Sequence, residues 1–195
     1  MSDAIAPIRI LIAEDEAIIR MDLREMLEEE GFDVVAEASD GREAVDLTRE
    51  HKPDLAILDI KMPGMSGIRA AEVITRERIS AVLILTAFSQ RDLAADAAQA
   101  GAMAYLVKPF QKSDLVPAIE IALERYRDIA SLRQDVSDLS ERLEARKLIE
   151  RAKGALIDQG MSEGDSYQLM QRAAMDRGLR LVEVAKLVLE GRLGE

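Results

Sequence analysis

The chain has 195 residues and a formal net charge of −11, and is 48% hydrophobic, 32% charged and only 3% aromatic. With no Cys and a single His51, it has no means of forming disulfides, thiol nucleophiles, zinc–thiolate sites or a His-rich metal site. No run approaches the ~18 apolar residues of a spanning helix, and Met1–Pro7 is too short for a signal peptide, so a cytoplasmic protein without membrane contact is expected.

Ile8–Ala13 reads as a strand and is followed at once by Glu14-Asp15-Glu16. Three acids at a strand end either open a helix, whose first turn favours them, or gather around a cation. The next segment is helical, with Ile18, Ile19, Leu23, Met26 and Leu27 on one side and Gly31 at its end. Phe32–Ala38 is a second strand, and Asp40-Gly41 opens a second helix that stops before Pro53. Leu55–Asp59 is apolar on both faces until its last residue, the pattern of a central parallel strand covered by helices. It runs into Met62-Pro63-Gly64, a turn because Pro63 has no N–H to give a ladder and Gly64 bends freely. A helix bearing Ile68, Ala71, Val73 and Ile74 follows, then a strand Ala81–Leu85 ending on Thr86. An Ala-rich helix capped by Ser89 is expected up to Gly101, and a fifth strand, Met103–Val107, ends on Lys108-Pro109. Strand and helix alternating five times imply an α/β fold, a five-stranded doubly wound parallel sheet.

Glu14, Asp15, Asp59, Thr86 and Lys108 all fall just past strand ends, where open α/β sheets bind ligands. A single Asp after a strand is more often a turn cap; five polar residues at successive strand ends point to chemistry. The carboxylates suit Mg²⁺, a hard cation that prefers oxygen, and the lysine makes the site complementary to a phosphoryl group. No general base is in view for turning over an external substrate. Asp59 therefore reads as accepting a phosphoryl group itself, as an acyl phosphate, with Mg²⁺ and Lys108 offsetting the charge.

This constellation resembles the receiver domain of two-component response regulators, over residues 7–127. The resemblance implies Asp59 as phosphoacceptor, and a Mg²⁺ site of Glu14, Asp15, Asp59 and the Lys61 backbone carbonyl. It also implies Thr86 as a hydroxyl switch, Tyr105 as an aromatic that moves inward with it, and Lys108 before a cis proline. A sensor histidine kinase would be the phosphodonor, and the domain would be no enzyme beyond its own phosphoryl transfer and slow dephosphorylation. Glu14 stands where the family more often has Asp, and Ser66 stands where Asp is frequent before Gly67.

From Ser113 a helix runs on, with no Gly or Pro between Pro117 and Gly154. Within residues 128–143, read as a helical linker, Ile129, Leu132, Val136, Leu139 and Leu143 recur at steps of three and four. That short heptad seam would either pair two copies into a homodimer or pack on its own chain.

Residues 141–195 read as a small all-α domain of three helices, the first ending near Gly160 and the second opened by a box-like Ser162…Asp165 pair. The chain is acidic overall, with 15 Lys/Arg against 24 Asp/Glu over residues 1–127, but residues 142–180 carry 8 basic against 6 acidic residues. A polyanion would bind there if anywhere. Arg146, Lys147, Arg151 and Lys153 lie on the first helix, and Arg172, Arg177 and Arg180 near the second and the turn after it. Taken alone, these helices fit a DNA-reading helix-turn-helix, a dimerisation or protein-docking device, or an RNA reader. Arg151-Ala152-Lys153-Gly154-Ala155-Leu156, Gly160-Met161-Ser162, Tyr167, Arg172-Ala173-Ala174-Met175-Asp176 and Val184-Ala185 resemble the ANTAR domain. That resemblance implies a transcription antiterminator that binds paired RNA stem-loops in transcript leaders, with Lys153, Arg151 and Arg172 foremost among the cations. The whole chain is similar to actinobacterial phosphorylation-dependent antitermination regulators.

Overall fold

The computed structural model describes residues 6–87 and 98–193, the side chain of Ser137 apart. The chain forms two compact units, residues 1–129 and 130–195. The helix expected from Ser89 lies outside the described residues.

In the first unit the elements are β1 (Arg9–Ala13), α1 (Ala17–Glu29), β2 (Asp33–Ala38), α2 (Gly41–His51), β3 (Leu55–Asp59), α3 (Gly67–Glu77), β4 (Ala81–Thr86) and β5 (Ala104–Val107). The start of α4 (Lys112–Asp158) completes it. The strands form one parallel sheet in the order β2-β1-β3-β4-β5. Ile8, Phe32 and Met103, expected as first residues of strands, pack against the core just ahead of the ladder.

Alternation along each strand sends side chains to opposite faces, and two cores result. Ile10, Ile12, Leu55, Ile57, Leu83 and Leu85 meet Leu23 and Leu27 of α1 and Leu115, Ile119 and Leu123 of α4. Leu11, Ala13, Ala56, Leu58, Val82 and Ile84 meet Ala44 and Val45 of α2 and Ala70, Ala71 and Ile74 of α3. Every residue of β3 and β4 is buried, as the unbroken apolar run of β3 predicts.

Helix starts follow local polar chemistry. The Asp40 carboxylate accepts from the N–H groups of Arg42 and Glu43, and the Ser66 hydroxyl from that of Arg69. Gly67 is required by close approach: a Cβ there would lie 1.9 Å from the Asp59 carbonyl oxygen. The missing side chain lets α3 begin directly beside the end of β3.

Helix α4 is one uninterrupted 47-residue helix. The expected linker and the first helix of the C-terminal module are therefore a single element, with Gly154 inside it. Its end at Asp158 is followed by a turn in which Gly160 takes φ +94°. Leu132, Val136, Leu139 and Leu143 are all exposed, between 54% and 69%, whereas Ile129, the first residue of the seam, packs against the core of the first unit.

In the second unit the C-terminal part of α4 packs with α5 (Glu163–Arg177) and α6 (Leu181–Leu189). The core is Ala152, Leu156, Met170, Val184, Ala185 and Val188. The Ser162 hydroxyl accepts from the Asp165 N–H at 3.1 Å and donates to the Asp165 carboxylate at 2.6 Å. No helix among the described residues is long and apolar enough to cross a membrane.

Candidate functional site

The carboxyl ends of β1, β3, β4 and β5 bring Glu14, Asp59, Thr86 and Lys108 together. Carboxylate oxygens of Glu14, Asp15 and Asp59 lie within 4.8 Å of one another. Glu14, Asp59 and Thr86 are buried, whereas Asp15 is exposed. A cleft of about 380 Å³ opens here, lined by Asp15, Glu16, Asp59, Lys61, Thr86 and Lys108 among others.

Lys108 bridges the two buried carboxylates, its Nζ 2.6 Å from Asp59 Oδ1 and 2.5 Å from Glu14 Oε2. The other Asp59 oxygen accepts from the Lys61 N–H at 2.7 Å. Both oxygens of Asp59 are thus held in fixed directions. The Lys108–Pro109 peptide is cis.

Burial pushes the Glu14 carboxyl above its usual range; the Lys108 hydrogen bond opposes that rise and the Asp59 charge adds to it. Burial alone would lower the Lys108 ammonium, but hydrogen bonds to Asp59 and Glu14 leave it above its ordinary value. Buried carboxylates facing each other are poorly offset by a single ammonium. The all-oxygen donor set fits a hard divalent cation such as Mg²⁺.

Tyr105 lies on β5, three residues before Lys108, and is 54% exposed rather than turned into the core. Arg20, which sequence patterning does not single out, holds the acidic loop from α1. Its guanidinium donates to the Glu14 carbonyl at 2.5 Å and pairs with Glu37 at 3.2 Å. The contact depends on how the chain turns between β1 and α1, which the spacing of the two residues does not reveal.

The seven basic residues read in the second unit are not equivalent. Lys153 is the most enclosed: its side chain is 13% exposed and its Nζ lies 2.9 Å from Glu163 Oε1 and 3.2 Å from Glu150 Oε2. The hydrogen bond to Glu163, followed by that to Glu150, holds the ammonium above its ordinary value. Lys147 pairs with Glu144, Arg180 with Glu183, and Arg177 donates to the Leu193 carbonyl. Arg146, Arg151 and Arg172 are exposed on the helix surfaces.

Residues 10–120 match the response regulator receiver domain, and residues 137–189 match the ANTAR domain. The chain is 60% identical over 190 residues to the transcriptional regulatory protein PdtaR of Mycobacterium tuberculosis, covering 97% of this chain and 93% of that protein. It is 44% identical over 116 residues to the chemotaxis protein CheY of Bacillus subtilis, covering 59% of this chain and 97% of that one. Among solved structures, the receiver domain of the putative response regulator NarL from Mycobacterium tuberculosis superposes with a TM-score of 0.58 at 30% identity, over 60% of this chain and 97% of that chain. The CheY of a CheX–CheY–BeF₃–Mg²⁺ complex from Borrelia burgdorferi does so with a TM-score of 0.55 at 28% identity, over 58% and 87%. Receiver domains bind Mg²⁺ at an acidic site, and response regulators with an ANTAR domain are a non-enzymatic regulator class. The chain belongs to the response regulators in which a receiver domain is joined to an RNA-binding, antiterminator-type ANTAR domain.

Proposed function

We propose that this protein is a phosphorylation-controlled transcription antiterminator of the cytoplasm, acting on RNA stem-loops in transcript leaders. One observation carries the receiver half: Asp59, buried at the end of β3, has both oxygens oriented, by the Lys61 N–H and by Lys108, beside two further carboxylates. A carboxylate held in this way is a nucleophile for a phosphoryl group. An oxygen of Asp59 attacks the phosphorus of a phosphohistidine on a sensor kinase. The new O–P bond forms as the N–P bond breaks, and the imidazole leaves with the electron pair.

Asp15, Asp59 and the Lys61 carbonyl, with Glu14 behind them, would hold Mg²⁺. When bound, the ion would supply positive charge that offsets the charge of the transferring phosphoryl group. Lys108 leaves its bridge between the carboxylates to pair with a phosphoryl oxygen, and the Thr86 hydroxyl donates to another. Tyr105, exposed in this conformation, turns inward as Thr86 moves. The solved CheY complex with BeF₃ and Mg²⁺ supports such a site on the same fold.

The receiver (7–127), the linker (128–143) and the RNA-binding module (141–195) act in series. The RNA half rests on the ANTAR match and on a transcriptional regulator as relative. Lys153, Arg151, Arg172, Arg146, Lys147, Arg177 and Arg180 provide the cations for RNA phosphates. The exposed part of the α4 seam pairs two copies on activation. A DNA-reading alternative is not favoured, because residues 137–189 match the RNA-binding ANTAR domain.

The test is binding of a tandem stem-loop RNA with and without acetyl phosphate and Mg²⁺, for the wild type and Asp59→Ala. Tighter binding only where Asp59 is present supports both halves and their coupling. Binding indifferent to phosphodonor removes the switch, and no binding in any state removes the RNA assignment.

A further inference from the structure

The outward face of α5 differs from the rest of this acidic chain. At 100° per residue, Tyr167, Gln171 and Met175 form one stripe, with Gln168 and Arg172 beside it. All five are exposed, Tyr167 by 39% and Met175 by 83%, while Ser166 and Met170 face the core on the opposite side. The stripe itself carries no carboxylate, and Asp165 and Asp176, both exposed, stand at its edge beyond Arg172. Arg172 has no carboxylate partner among the described residues. Near the start of the stripe, a Cβ on Gly164 would meet nothing closer than the Ser162 hydroxyl at 4.0 Å, so a ligand can come close to the backbone there.

An exposed tyrosine, two amides and an unpaired guanidinium match what an unstacked nucleobase needs. The ring offers a π-face for stacking, the amides donate and accept at the base edge, and the guanidinium pairs with the adjoining phosphate. Tyr, Met and Arg also populate protein interfaces, but here two amides stand beside them on an open helix surface of the unit that matches the RNA-binding ANTAR domain. We infer that the outward face of α5 is the subsite for an unpaired loop base, stacked on Tyr167 and read at its edge by Gln171 and Gln168. This rests on the RNA-binding reading and supplies its point of sequence recognition, which cations on phosphates do not provide.

The experiment uses the full chain with Mg²⁺ and acetyl phosphate, and a pool of RNA hairpins with one fixed stem and randomised loops. The same stem closed as a blunt duplex is the control. Tyr167→Phe keeps the ring and should bind selected hairpins within about twofold of wild type. Tyr167→Leu, at a solvent-exposed position, should lose about tenfold to a hundredfold on hairpins, the usual range for one stacked base, and little on the duplex. An abasic nucleotide at the stacked loop position should abolish the difference between Tyr167→Leu and wild type. Hairpin binding by Tyr167→Leu equal to that of wild type overturns the inference while leaving the RNA reading intact, and hands this face to a protein partner. An equal loss on hairpin and duplex also overturns it, as an effect on the fold. Failure of the wild type to bind any hairpin overturns the RNA reading and the inference together.

Discussion

Lys108 is shared by two buried carboxylates, and its removal should expose what it offsets. Lys108→Ala leaves Glu14 and Asp59 facing each other, and losing one partner from such a buried group costs about 3 kcal/mol. Denaturant melts without divalent ions should register that loss, and Mg²⁺ should restore part of it by binding the freed carboxylates. Glu14 gives the pH dependence its sign. Because burial raises its pKa, the stability it contributes is present below the ordinary value of 4.5 and is lost as pH rises through the raised one. A cation favours the ionised form, so Mg²⁺ affinity should climb as pH rises through that same range. Mg²⁺ titrations of Glu14→Gln should lose this part of the pH dependence. Lys153 poses the opposite problem, because a phosphate that reaches it must displace Glu163 or Glu150. Glu163→Gln should tighten RNA binding several-fold and steepen its dependence on log salt by up to about 0.9, the increment for one further phosphate contact. Unchanged affinity would make Lys153 a structural tie between α4 and α5. The five strand-end polar residues were legible as a site because each closes an apolar run. The Lys153 pair was not, because Glu163 lies ten residues on, beyond the turn at Gly160.

Among the elements, β3 and α3 show how closely the backbone constrains the site. A methyl group on residue 67 would overlap the Asp59 carbonyl, so the two segments separate or Asp59 shifts. Gly67→Ala should destabilise the first unit by about 2 kcal/mol, in the range of overpacked cores, and lower the rate at which acetyl phosphate labels Asp59. Gly154 is the contrasting case: it is helical, and a methyl group added there would meet nothing within 4 Å. Gly154→Ala should stabilise the second unit by about 0.5–1 kcal/mol, read as a higher denaturation midpoint. Strands and helices were legible because burial on two faces leaves unbroken apolar runs and burial on one face leaves a helical period. The continuity of α4 was half legible. The absence of breakers up to Gly154 showed that the helix could run on, but a glycine inside a helix does not announce whether the helix ends there; packing of Ala152 and Leu156 into the core of the second unit carries it through.

At the scale of the whole molecule, the proposed function requires a signal at Asp59 to alter RNA binding by residues of another compact unit. Such coupling is a free energy shared by the two sites, and it is reciprocal for equilibrium binding. If beryllofluoride with Mg²⁺ raises RNA affinity by some factor, RNA must raise the affinity for beryllofluoride and Mg²⁺ by the same factor. Both titrations are feasible on the full chain, because neither ligand is consumed. Coupling energies of about 1–3 kcal/mol correspond to factors of roughly 5–150, well within reach of either measurement. Asp59→Asn, which lacks the carboxylate oxygen that beryllium would take, should show an RNA affinity unchanged by beryllofluoride. The exposed seam of α4 supplies the route by which the factors would depend on protein concentration. If activation pairs two copies through Leu132, Val136, Leu139 and Leu143, the measured factor grows with concentration in the wild type. It should become independent of concentration in Leu139→Lys, which places a charge in the middle of the seam, and light scattering should then report a single copy in every ligand state. Equal factors that ignore both concentration and this substitution would locate the coupling within one chain, and the seam would have no part in the switch.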